Sequence, residues 1–150
     1  MILEEKRDLA LFLAELTHKQ HKWGEFDCSL WVADWVDRLT GTNWAQGIRD
    51  HYHDEKSAFK FARTLNPQKM MVGEDADKWK VPGYKEIDKD EMPLTGDIWW
   101  QDDRTHYGGI IIFNGLGYSV TIDDGLIRLL PEHFATDQSP SKYTKRFRRI

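Results

Sequence analysis

Trp23-Gly24-Glu25-Phe26-Asp27-Cys28-Ser29-Leu30-Trp31 is the place where a glycine-containing loop runs into an amphipathic helix. Cys28, Trp31, Val32, Trp35, Val36 and Leu39 recur at helical spacing, so the helix begins at or near the cysteine. Cys28 is the only cysteine of the chain. A thiol at a helix start feels unpaired backbone N–H groups and the positive end of the helix dipole. That setting favours the thiolate, the form that attacks a carbonyl carbon. The competing reading is a small buried hydrophobe. Asp27 has two readings as well: a cap on the helix or a contact to substrate.

Outward from this stretch the chain divides in two. On the N-terminal side, Leu9, Phe12, Leu13 and Leu16 fall on one face of a first helix over residues 4–17, followed by a polar loop over 18–26. Gly41 in Thr40-Gly41-Thr42-Asn43 is suited to end the Cys28 helix. Asp54 opens a third helix over 55–65, stopped by Asn66-Pro67. Residues 68–91 read as an irregular connection or a short helical excursion. From Asp97 the period changes to strands over 98–101, 109–113, 118–122 and 126–130, with turns at Asn114-Gly115-Leu116-Gly117 and Asp123-Asp124-Gly125. A last strand is expected over 143–150. Helices first and an antiparallel sheet second imply an α+β class, not a doubly wound sheet.

The 150 residues suit a single domain, 1–150, and 40% apolar content with seven Trp, seven Phe and five Tyr is enough for one core. A net charge of −4 argues against a protein that coats nucleic acid. One cysteine cannot form an internal disulfide, so nothing indicates an oxidising compartment. No apolar run is long enough to span a membrane. The charged N-terminal pattern does not read as a secretory signal, so synthesis in the cytoplasm is expected.

A second motif lies downstream. Gly96-Asp97-Ile98-Trp99 starts one strand, and His106-Tyr107-Gly108-Gly109-Ile110 leads into the next. Together with His21-Lys22-Trp23-Gly24 and Asp27-Cys28-Ser29-Leu30-Trp31, it resembles the NlpC/P60 superfamily of papain-like cysteine peptidases. More narrowly, it is similar to the small branch found with phage tails and gene-transfer particles. The resemblance covers about residues 9–130. It implies a papain-like fold, with the N-terminal helices packed on the C-terminal sheet.

By that resemblance Cys28 is the nucleophile and His106 the general base, and the backbone N–H of Cys28 helps form an oxyanion hole. His21, Trp23, Asp27 and Ser29 would line the substrate cleft. The third polar residue falls near Ser119, with Thr121 on the same face and Asp123 just beyond. The chain departs from the family pattern in three ways. Leu30 replaces a small glycine, an extra residue sits in Tyr107-Gly108-Gly109, and Ser119 replaces the usual His, Asn or Gln. The implied activity is hydrolysis of an amide bond in a cell-wall peptide, by an enzyme carried on a phage tail or related particle and needing no cofactor. The alternative is a tail or assembly component that keeps the fold without useful catalysis, with tail proteins as its partners.

Other residues carry less. His51-x-His53-Asp54 lacks further ligands at metal-site spacing, so no metal is expected. Trp31 and Trp35 belong to the core face, whereas Trp23 and Trp44 suit a cleft. Trp99 and Trp100 point to opposite faces of a strand. Lys142, Lys145, Arg146, Arg148 and Arg149 read as a solvated terminal strand, or as a dock for an anionic polymer.

Overall fold

The computed structural model describes residues 1–64, 81–100, 109–131 and 145–150. Its elements are α1 (Leu3–Leu16), α2 (Leu30–Thr40), a 3₁₀ turn (Trp44–Gly47), α3 (Glu55–Thr64), β1 (Tyr84–Ile87), β2 (Ile98–Trp100), β3 (Gly109–Phe113), β4 (Leu116–Thr121), β5 (Gly125–Leu129) and β6 (Lys145–Arg149). The described strands form one six-stranded sheet in the order β1-β6-β2-β3-β4-β5, antiparallel at every pairing. The α+β class is therefore as the period change implies.

The apolar stripes of α1 and α2 meet the sheet. Leu9, Phe12 and Leu13 of α1 and Trp31, Val32 and Trp35 of α2 share one core with Ile98, Ile111, Val120 and Phe147. Phe12 lies parallel to Trp31 at 6.5 Å between ring centres and tilts against Trp35 at 5.5 Å. Full burial of one such side chain contributes about 1.5–3 kcal/mol. This contact therefore outweighs the exposed Arg38–Glu15 ion pair between the same two helices, worth about 1 kcal/mol at most. Trp99, Ile110, Ile112 and Leu129 form a second cluster, while Trp100 packs against the first, so the two tryptophans do take opposite faces.

Two expectations are corrected. Residues 68–91 contain a strand, β1, and the basic segment is not a solvated edge. Strand β6 lies between β1 and β2, pairing Phe147 with Ile98 on one side and with Glu86 on the other. Its charges are used inside the fold. The Arg146 guanidinium sits 3.7 Å from the centre of the Trp99 ring. Arg148 grips Asp97 through Nε–H and Nη2–H at 3.0 and 2.9 Å. Arg149 pairs with Glu5 of α1 and donates to the Gly83 carbonyl. Alternating charges look solvated in one dimension, and only the strand order reveals what each one meets. Lys142 lies outside the described residues.

Asp97, in the second motif, is 1% exposed. Besides Arg148 it accepts from the Leu94 N–H at 2.9 Å, so this carboxylate locks the chain at the start of β2.

Candidate functional site

The loop before α2 is a closed turn. Lys22 and Phe26 exchange backbone hydrogen bonds of 2.9 and 2.8 Å, with Trp23, Gly24 and Glu25 at the tip. Gly24 has φ +79°, and a Cβ on it would lie 2.1 Å from the Tyr52 carbonyl oxygen. Only glycine satisfies both the dihedral and the approach. The segment after the 3₁₀ turn fastens this tip. The Asp50 N–H donates to the Gly24 carbonyl at 3.0 Å, and Arg49 donates to the Glu25 carbonyl at 2.9 Å while pairing with Asp34 of α2.

Asp27 ties this tip to the start of α2. It is 1% exposed. Its Oδ1 accepts from the N–H groups of Ser29 at 3.1 Å and Leu30 at 2.9 Å. Its Oδ2 accepts from the Gly24 N–H at 3.0 Å and the Tyr52 hydroxyl at 2.6 Å. Four donors around one buried carboxylate are a cap, with the added strength of charge-assisted hydrogen bonds. Of its two readings in sequence, the structure gives Asp27 the cap; it does not present an open carboxylate to a substrate. Because Asp27 claims the Ser29 and Leu30 donors, α2 begins at Leu30, two residues past the cysteine.

Cys28 and Ser29 are half-buried at this helix start, with Sγ and Oγ 4.0 Å apart. The Cys28 carbonyl oxygen lies 3.0 Å from where a Cβ on Gly109 would stand, and the Val32 Cγ2 methyl lies 2.3 Å from that point. Absence of a side chain on Gly109 thus lets the start of α2 rest on the first residue of β3. The Gly109 carbonyl accepts from the Trp31 indole N–H at 3.1 Å and from the Ser119 hydroxyl at 2.9 Å.

Ser119 is fully buried, and that hydroxyl proton is committed to Gly109. Its neighbours Tyr118 and Val120 pack with the helix-facing core, so Ser119 leaves β4 on the other face. Ser119 and Cys28 both reach Gly109, but the contact that Ser119 makes is one of support. His106 lies outside the described residues, three positions before Gly109 in the chain.

An aromatic row flanks the loop. The His21 ring meets Trp23 edge-on at 4.7 Å, Trp23 meets Tyr52 at 6.4 Å, and Tyr52 meets Phe61 of α3 at 5.6 Å. His21 and Trp23 are half-buried beside the Asp27 loop. Burial holds the His21 imidazole below its ordinary pKa, and the nearby Asp27 charge opposes this only in part. Tyr52 is buried, and burial next to the Asp27 carboxylate pushes its hydroxyl far above the usual tyrosine range. Sequence reading missed Tyr52. Its only local signal is the segment His51-Tyr52-His53-Asp54, and nothing there indicates a long-range bond to Asp27. In that segment His51 stacks on Phe61, His53 pairs with Asp54 at 3.6 Å, and Asp54 caps α3 through the Ser57 N–H at 2.7 Å. Among the described residues, no group of three or more His, Cys, Asp or Glu side chains could hold a metal ion. No described helix is long and apolar enough to cross a membrane.

A family model described as a domain of unknown function, DUF6950, matches residues 3–136. No curated protein and no solved structure matches the chain.

Proposed function

The chain belongs to the DUF6950 family, and for this member we propose a Cys–His amide hydrolase of the papain-like, NlpC/P60 type. One observation carries the reading. The Asp27-capped loop holds Cys28 two residues before α2, with its carbonyl against Gly109, and Gly109 opens the strand that comes after His106. A nucleophile on a helix start and a base just ahead of an adjoining strand is the arrangement this chemistry uses.

In the proposed reaction His106 takes the Cys28 thiol proton, and the thiolate adds to the amide carbon. The backbone N–H of Cys28 faces the developing oxyanion. Collapse of the tetrahedral species breaks the C–N bond, and the imidazolium returns its proton to the departing amine. Water, deprotonated by His106, then hydrolyses the thioester to a carboxylic acid and restores the thiol. The substrate class is a cell-wall peptide, and His21, Trp23 and Ser29 border the cleft. A phage tail or related particle would carry the enzyme.

A second reading is a tail assembly component with the same fold. What favours it is Ser119, whose hydroxyl supports the Gly109 carbonyl instead of standing open beside the thiol. The deciding experiment measures release of new amino groups from purified cell-wall peptides by the parent, Cys28→Ser and His106→Ala. Activity of the parent lost in both variants supports the hydrolase. Full activity in both variants, or none in the parent across a peptide panel, overturns it.

A further inference from the structure

A buried carboxylate beside a nucleophilic thiol poses a difficulty. Asp27 is the residue before Cys28, and it is 1% exposed. At such a site a like charge opposes formation of the thiolate, and low exposure leaves that repulsion poorly screened. The fold surrounds the carboxylate with donors that draw its charge away from the thiol. Three of them are backbone N–H groups, from Gly24, Ser29 and Leu30. Tyr52 supplies a side-chain donor and the shortest bond of the set, 2.6 Å to Oδ2.

Resting on the reading of Cys28 as nucleophile, we propose that Tyr52 is a positioning residue that acts on Cys28 through Asp27. Its hydroxyl holds and tempers the buried carboxylate, so that the neighbouring thiol can ionise. Tyr52 reaches this point from a segment separately fastened to the same loop by Asp50 and Arg49. Charge on Cys28 adds to the upward displacement of the Tyr52 hydroxyl, after burial and Asp27. Among the described residues, His21 from the loop and Arg49 from the segment after the 3₁₀ turn interact with Asp27, Arg49 also acts on Tyr52, and Asp34 of α2 and Asp50 act in turn on Arg49. Arg49 is committed to Asp34 and the Glu25 carbonyl.

The test is the pH profile of Cys28 alkylation by iodoacetamide in the intact chain. In Tyr52→Phe the profile is expected to move to higher pH by at least about half a unit, or about three-fold less thiolate at a fixed pH below the midpoint. Asp27→Asn, which removes the charge, is expected to move it to lower pH. Adding Tyr52→Phe to Asp27→Asn is expected to change nothing more. Thermal unfolding of each variant separates these shifts from loss of fold, and the Asp27→Asn arm remains decisive where Tyr52→Phe does not fold. A Tyr52→Phe profile that superimposes on the parent overturns the proposal, as does an Asp27→Asn profile that stays or rises. His106→Ala reports on the nucleophile reading alone. A parent profile of an ordinary thiol, unmoved by His106→Ala, removes that reading while the Tyr52 shift is still measured.

Discussion

The Trp31 indole N–H donates to the Gly109 carbonyl at 3.1 Å, joining two residues 78 positions apart at the point where α2 meets β3. Both belong to the two motifs on which the proposed function rests. The bond fixes the helix start against the strand start, and Gly109 leaves room for it.

Gly109→Ala is therefore expected to disturb the junction from the inside. The new methyl would stand 2.3 Å from the Val32 side chain and 3.0 Å from the Cys28 carbonyl oxygen. Overpacking of this kind costs about 1–3 kcal/mol. Urea denaturation should show that loss. If Cys28 acts as proposed, activity should fall further than the unfolded fraction explains, because the displaced backbone is its own.

Gly24→Ala meets a backbone obstacle, since a Cβ there lies 2.1 Å from the Tyr52 carbonyl oxygen and φ is +79°. A non-glycine residue held in such a conformation costs about 1–3 kcal/mol before the clash is counted. The expected result is a lower melting temperature and faster proteolysis in the 22–29 loop. Unchanged melting would mean that the tip is not held as described.

Arg148→Met removes the partner of Asp97 while keeping much of the side-chain volume. Asp97 is 1% exposed, so its charge is left buried, and among the described residues the Leu94 N–H is the donor that remains to it. Breaking a buried pair costs about 3–5 kcal/mol, and the 20% exposure of the Arg148 side chain places this case toward the low end. Lys145→Met, which breaks the more exposed pair with Glu86, is the control, with an expected loss of about 1 kcal/mol or less. Equal losses in the two variants would contradict the assignment of Arg148 as an internal clamp.

His21 carries a pH signature. Burial lowers its folded pKa below the ordinary 6.5, against a smaller opposing pull from Asp27. The unfolded chain then binds more protons than the folded one in the window just below 6.5, so stability rises with pH there. Its destabilising effect is fully present below the folded pKa and gone above the unfolded value. Unfolding free energies measured from pH 5 to pH 8 should show a steeper acid decline in the parent than in His21→Gln. Parallel curves would mean that the imidazole is solvated.

Much of this molecule is legible along the chain because the relevant physics is local. Helical spacing of Leu9, Phe12, Leu13 and Leu16 locates α1, and that of Trp31, Val32, Trp35 and Val36 locates α2. Asn114-Gly115 marks the β3–β4 turn, and Asp27 announces its cap from two and three residues away. Side-chain period, turn preference and capping involve neighbours a few positions apart. The α+β class and the place of Cys28 just ahead of α2 can therefore be read from the residues in order. Long-range packing was needed to bring β6 into the middle of the sheet, Arg148 to Asp97, Ser119 under Gly109, and Tyr52 into the shell around Asp27. Each of these is a contact between distant segments. Its partner is chosen by which surfaces the packed core brings together, and no local preference of the residues involved encodes that choice.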